Sequence, residues 1–133
     1  MSNHYREVLQ IIKPQPVIEG AGVRLKRSIA TATRDHLDPF VRFDQSGSGN
    51  PDDYLKGFPM HPHRGIETVT YMIEGVVNHK DSLGNSGTIS GGDGQWMTSG
   101  GGIMHEEMPQ PCQREMVGFQ LWVNLPARLK MTR

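Results

Sequence analysis

The sequence is short of cysteine, of net charge, of aromatic side chains and of long apolar runs, and each shortage excludes something. Cys112 has no second cysteine in the chain to pair with, so an internal disulfide is ruled out and a reducing, cytoplasmic setting is the expectation. Lys+Arg 14 stand against Asp+Glu 14. That balance gives no concentrated basic surface for phosphates and argues against direct binding of nucleic acid. A bilayer-spanning helix needs about 20 consecutive apolar residues, and no such run exists, so no membrane role is expected. The first seven residues, Met1 to Glu7, lack the apolar stretch of a secretory signal. What the chain has in quantity is punctuation, with 16 Gly and 9 Pro in 133 residues. A chain of this length makes one domain, taken as 1–133, and its turn-rich composition favours short strands over long helices.

The pattern along the chain agrees with that reading. Residues 8–12 form a short apolar run stopped by Pro14 and Pro16, read as a first strand. Residues 23–29 mostly alternate apolar with polar, the period of a half-buried strand. Residues 40–43 form another. The stretch 44–57 contains a run, 45–53, of turn formers without an apolar residue, and reads as a solvated, mobile loop. Further strands are expected at 66–73, 76–80, 88–90, 95–98, 103–108 and 116–124, with hairpin chemistry at 81–87. Strands at such spacing, with turns between, indicate an all-β sandwich or barrel.

The chemistry concentrates in two short motifs. In His61-Pro62-His63 the proline restricts its predecessor to extended backbone, and residues two apart on a strand share a face. His61 and His63 can therefore aim two imidazoles at one point. His105 and Glu107 repeat the spacing later in the chain. Two strands on facing sheets, each contributing two ligands, would build a site of three histidines and one carboxylate. Such a donor set suits a divalent transition metal, iron first, with Mn, Ni, Cu and Zn also compatible. Four protein ligands on an octahedral ion leave two positions open, which favours a catalytic or sensing site over a structural one.

Other residues weigh less. Glu67 lies four after His63 and on a regular strand would share its face, as a further ligand or a base. Glu106 should point away from Glu107. His79 sits at the end of a Val-Asn-His-Lys strand and carries little functional weight, while His4 and His36 lie in segments with no partner spacing and read as surface residues. Cys112 reads as an inert or exposed thiol, Ser99 to Gly102 as a tight strand connection, and Arg24, Lys26 and Arg27 as a solvated basic face.

The same residues resemble the pirin family of the cupin superfamily. The matching text is His61-Pro-His-Arg-Gly-Ile-Glu-Thr-Val-Thr-Tyr-Met-Ile-Glu-Gly75, Asp81-Ser-Leu-Gly-Asn85, Gly92-Asp-Gly-Gln-Trp-Met-Thr98 and Gly102-Ile-Met-His-Glu-Glu107. Asp38-Pro39-Phe40 and Phe119-Gln-Leu-Trp-Val-Asn124 extend it over nearly the whole chain. The resemblance implies a cupin-type jelly-roll β-sandwich that holds one iron through His61, His63, His105 and Glu107. In other cupins the glutamate four after the second histidine is the ligand, which would be Glu67 here; the pirin-like HxE prefers Glu107. Gly101 and Glu106 depart from residue sizes common in the family.

Pirins usually carry two cupin domains, and the C-terminal one is absent from this sequence, so exposed apolar surface and self-association into a homo-oligomer are expected. The family includes quercetin 2,3-dioxygenases, which implies a flavonol or related chelating aromatic substrate with Glu107 or Glu67 as the base. It also includes regulators, which implies a second class: an iron-binding redox sensor that contacts a transcription factor or a metabolic enzyme. A paralogue that binds metal without an activity is the third reading.

Overall fold

Side-chain alternation on short strands decides what this chain buries. On β2 (Val23–Ile29) it turns Val23, Leu25, Arg27 and Ile29 inward and leaves Arg24 and Lys26 in solvent. The computed structural model describes residues 5–35 and 37–132, and the same rule repeats through it. The other strands are β1 (Gln15–Glu19), β3 (Phe40–Ser48), β4 (Phe58–His63), β5 (Ile66–Glu74), β6 (Val76–Asp81), β7 (Ser86–Ser90), β8 (Gly94–Thr98), β9 (Ile103–Pro109) and β10 (Met116–Asn124). Single 3-10 turns occur at Pro51–Asp53 and Ala127–Leu129. His4 and His36, expected at the surface, lie outside the described residues.

The strands form two antiparallel sheets that pack as a cupin-type jelly-roll sandwich. One has six strands in the order β1-β2-β3-β10-β5-β8, and the other has four in the order β4-β9-β6-β7. Consecutive β4 and β5 sit in different sheets, as do β5 and β6. The chain crosses between them at Gly65 and Gly75, whose φ values of +69° and +95° lie in the left-handed region that favours glycine. Tyr54, Met72, Val77, Ile89 and Met116 pack into the buried apolar cluster between the sheets. Among the described residues no helix is long and apolar enough to cross a membrane.

Three expectations are corrected. The first strand is Gln15–Glu19 and not 8–12, whose Val8, Leu9 and Ile11 stand exposed. Pro16 is accommodated because β1 is an edge strand, where a missing N–H costs no ladder bond. The stretch 44–57 is not a solvated loop throughout. β3 continues to Ser48, the 3-10 turn is capped by the Asn50 side chain accepting from the Asp52 N–H, and Tyr54 is buried in the core. Polar composition misleads there because Asp44 and Ser46 belong to the inner face of a sheet.

The third correction explains the second. Arg27, expected on a solvated face, lies buried opposite Asp44 in the β2–β3 register. Its Nε donates to Asp44 Oδ1 and its Nη2 to Oδ2, both at 2.7 Å, while Nη1 reaches Glu19 Oε1 at 2.7 Å. Such a fork satisfies both charges in a low-dielectric interior. Replacing Asp44 by Ala strips the bidentate partner from a buried guanidinium, and urea denaturation should show a loss of about 3 kcal/mol. A loss within the roughly 0.5 kcal/mol of an ordinary surface change would contradict the pairing.

Candidate metal centre

The site begins with one cross-strand pair. His61 on β4 stands opposite His105 on β9, and His63 stands opposite Ile103. The two motifs therefore lie on neighbouring strands of one sheet and not on facing sheets as expected. Adjacency brings side chains of a directly opposed pair close together without any help from the second sheet. Ring centroids are 4.4 Å apart for His61 and His105, 4.8 Å for His61 and His63, and 4.9 Å for His63 and His105. One ligand nitrogen from each of the three falls within 4.8 Å of the others.

Hydrogen bonds assign which nitrogens face the centre. His61 Nδ1 meets the Pro59 carbonyl at 2.8 Å, so Nδ1 carries the proton and Nε2 keeps its lone pair. His61 Nε2 and His63 Nε2 approach to 3.1 Å. His105 Nδ1 faces His79 Nδ1 at 3.4 Å, and His79 Nε2 faces Asp81 Oδ2 at 3.5 Å. With the Asp81 carboxylate at the end of that chain, His79 donates to it from Nε2 and accepts at Nδ1 from His105. His105 is then left with a bare Nε2, and that atom is buried with no hydrogen-bond partner among the described residues. Three imidazole Nε2 atoms, one of them an orphan in the interior, fit a divalent transition metal.

Electrostatics keep His63 and His105 neutral. Burial, then the neighbouring His61 and Arg42 charges, hold the His63 pKa down to about 4. Burial, then His61, His63 and His79, bring His105 down to about 3. Both imidazoles are thus free to bind a cation at neutral pH. Burial pushes the Asp81 carboxyl up, yet hydrogen bonds from the Asn85 side chain and the Asn85 and Leu83 N–H groups outweigh it and keep Asp81 below its ordinary value.

Glu107 shares the inward face of β9 with His105 but is not one of the clustered three. It pairs with His79 on β6, and both its oxygens accept from Gln120 Nε2 at 3.0 Å, with Thr70 Oγ1 adding a bond of 3.3 Å. Gln120 and Thr70 belong to the six-stranded sheet, so this carboxyl ties the two layers together. Burial raises its pKa, against the pull of Gln120 and His61. Glu107 lines one cavity of about 710 Å³ together with His61, His63, Gln120 and Trp122.

Glu67 does not reach this place. The turn at Gly65 ends β4 and starts β5 in the other sheet, which cancels the i, i+4 rule on which the expectation stood. Thr68, Thr70 and Met72 are the buried residues of β5, and Glu67 alternates to the opposite face, where it accepts from Thr98 Oγ1 at 2.9 Å. His79, read as a strand-end residue of little functional weight, is buried beside the cluster. A signal for it exists in the sequence: His79 and Asp81 have the same i, i+2 spacing as the two motifs already singled out. Glu106 alternates away from Glu107 as expected, and Ser99 to Gly102 forms the turn between β8 and β9.

Comparison with known proteins places this geometry in context. A family model described as Pirin matches residues 22–123. A pirin-like protein of Caulobacter vibrioides is 56% identical over 127 residues, covering 96% of this chain and 46% of its own length. Human pirin is 50% identical over 115 residues, covering 85% of this chain and 38% of its own. The chain thus spans less than half of the curated relatives it matches. Among solved structures, a quercetin 2,3-dioxygenase from Acinetobacter baumannii superposes with a TM-score of 0.80 at 29% identity, over 90% of this chain and 40% of that one. The bacterial pirin YhhW of Escherichia coli, in complex with nickel(II), superposes with a TM-score of 0.70 at 25% identity, over 90% of this chain and 51% of that one.

Two outcomes follow from the geometry. His105→Ala should abolish binding of a divalent metal in competition with a chromophoric chelator, while Asp81→Asn or His79→Ala should weaken it about 10–100-fold, as loss of a ligand's orienting partner does. Undiminished binding in His105→Ala would remove the site. The second outcome concerns pH. An unfolded chain protonates these imidazoles from about pH 6.5 downward, whereas folded His63 resists to about 4. Metal-free protein should therefore lose stability as pH falls through that window. Glu107, raised by burial, slopes the other way, so the difference between wild type and His63→Gln isolates the imidazole part. Thermal melts should show that difference shrinking towards pH 4; a constant difference would contradict the depressed pKa.

Proposed function

The chain belongs to the pirin family, and on that premise we propose that it is a metal-dependent dioxygenase acting on a flavonol or a related chelating aromatic, with quercetin as the reference substrate. The observation that carries this reading is the three-imidazole cluster, two of whose members, His61 and His63, line a cavity of about 710 Å³ together with the buried carboxyl of Glu107. That volume lies within the roughly 300–1,000 Å³ of small-molecule sites. The likeness to a quercetin 2,3-dioxygenase fold supports the reaction class. The nickel-bound relative supports a divalent ion.

In this reading His61, His63 and His105 hold the ion, with Glu107 as fourth ligand and iron as the first choice of metal. When bound, the metal supplies Lewis acidity to the substrate's 3-hydroxyl and carbonyl oxygens. The protein's own groups do the rest. Glu107 takes the flavonol proton, and burial helps by raising its pKa towards that of the hydroxyl it deprotonates. Gln120 is fixed for its part: Trp122 Nε1 donates to Gln120 Oε1 at 2.9 Å, which turns the Gln120 amide nitrogen towards Glu107. Phe58, Met72, Val77 and Phe119 give the cavity apolar walls that shed water around an aromatic ring. Glu67, on the other face of β5, has no part in the step.

A second reading, a redox-sensing regulator of a transcription factor or metabolic enzyme in the cytoplasm, is favoured by one observation. Tyr71, Ile73 and Trp96 stand exposed on neighbouring strands of the six-stranded sheet and form an apolar strip suited to a protein surface, a second copy of the chain included.

One experiment separates the readings. Protein reconstituted anaerobically with Fe(II) is mixed with quercetin and O2 while flavonol absorbance and released CO are followed, and the same preparations are used to capture partners in oxidised and reduced form. Metal-dependent turnover that falls at least about 10²-fold in Glu107→Gln, the scale of general-base catalysis, supports the dioxygenase. Absence of turnover with capture that depends on oxidation state supports the regulator.

A further inference from the structure

Arg42 lies on the inner side of β3 and lines the same cavity as His61 and His63. Its guanidinium rests 4.0 Å above the ring of Trp122, its cross-strand partner on β10. Trp122 in turn meets His63 edge to face, with ring centroids 4.9 Å apart. A half-buried cation is thus stacked through one indole against the imidazole cluster, and its ion pair with Glu19 is a long one, shared with Arg27. The two neighbouring carboxylates are already engaged by Arg27, Asp44 through two bonds of 2.7 Å and Glu19 through one of 2.7 Å. Among the described residues, the approach of Arg42 to a carboxylate is Nη1 to Glu19 Oε1 at 4.0 Å, beyond hydrogen-bond distance. Burial and then the adjacent Arg27 charge pull the Arg42 pKa below its ordinary value, against the weaker opposite pull of Asp44 and Glu19.

A partly buried guanidinium with no carboxylate oxygen at hydrogen-bond distance gains from a carboxylate supplied from outside the chain. The planar fork of arginine matches the two oxygens of a carboxylate, and the stack on Trp122 fixes the plane in advance. Glu19 and Asp44 also line the cavity; with Arg27 they leave one negative charge, which the Arg42 cation balances, so an incoming carboxylate is held by the free fork of Arg42 and not by a net positive field.

We propose that the cavity takes an anionic ligand, a conjugated hydroxy-ketone chelator that carries a carboxylate, with the carboxylate paired to Arg42 and the chelating oxygens turned towards His61, His63 and His105. This deepens the metal-site reading above and rests on it. A neutral flavonol would then engage only the chelating half of the site.

Two hydroxypyranones make the test, because they share one chelating group and differ at one substituent: kojic acid carries a hydroxymethyl group and comenic acid a carboxylate. Affinities of both are measured by calorimetry at constant ionic strength on nickel-loaded and on metal-free protein, for wild type, Arg42→Met and Arg42→Lys. Comenic acid should bind wild type about tenfold more tightly or better, the scale of a charge-assisted hydrogen bond. Arg42→Met, which keeps an apolar stem on Trp122, should erase that preference and leave kojic acid unchanged, and Arg42→Lys should restore part of it. Equal affinity of the two compounds for wild type overturns the proposal without recourse to any variant, and so does a preference that survives in Arg42→Met. Removal of nickel should weaken both compounds. If it weakens neither, the metal reading fails, while the carboxylate preference is still read from the ratio of the two affinities.

Discussion

Register between β4 and β9 governs the chemistry of this protein, because side chains alternate with a period of two and a slip of one residue would turn every one of them over. His61 faces His105 only while those two residues are opposed. The same strand β9 is held on its other side by β6, where His79 opposes Glu107 and Asp81 opposes His105. A slip of β9 would therefore have to break two ladders at once and would expose Ile103, His105 and Glu107 together. The apolar and polar requirements of that strand point the same way: Ile103 is buried between the sheets for hydrophobic reasons, and its alternation carries His105 and Glu107 inward with it.

Burying so many polar groups is expensive unless each finds a partner, and the sandwich meets that demand in two styles. In the six-stranded sheet Arg27 is enclosed by Asp44 and Glu19, an arrangement in which each of its guanidinium nitrogens meets a carboxylate oxygen. Around the histidines the partners run as a line. It starts at the turn where Leu83 and Asn85 donate to Asp81, and it passes through His79 to His105. The line ends on one unpartnered nitrogen. An orphaned acceptor of that kind costs about 1–3 kcal/mol, and a bound cation is the group that would return it. The contrast separates a charge pair that closes on itself from a row of imidazoles that ends in an open donor atom.

Legibility in the sequence follows the same physics. Strands with strict alternation and a glycine-marked turn at one end or both, such as β2, β6 and β9, can be read directly, and so can the His61, His63 and His105 set, because i, i+2 spacing is a local property. What the sequence hides is non-local. Composition cannot tell that Asp44 ends up opposite Arg27, so a polar run looks like loop. Nor can spacing tell that the chain changes sheets at Gly65, which is why Glu67 is expected on the face of His63. The strands bearing the two motifs are expected on facing sheets for the same reason: local pattern gives a strand its faces but not its neighbours. His79 escapes by a different route. A histidine judged alone looks like a surface residue, and only its cross-strand partner Glu107 and its contact with His105 give it a role.

Division of labour between the layers then follows from topology. The four-stranded sheet supplies the imidazoles and Glu107, because β4 and β9 are adjacent there. The six-stranded sheet supplies the groups that address them across the gap: Gln120 and Thr70 on Glu107, Trp122 against His63, and Arg42 behind Trp122. Gln120 and Trp122 are two apart on β10 and bonded to each other, so one strand sets both the orientation of the buried acid and the seat of the cation. β10 also lies between β3 and β5, at the centre of its sheet, where both ladders restrain it. A central strand is the stiffest support the fold offers. The clustered imidazoles and the residues that face them across the cavity are thereby held by different sheets, so the walls can change without disturbing the register that assembles the histidines.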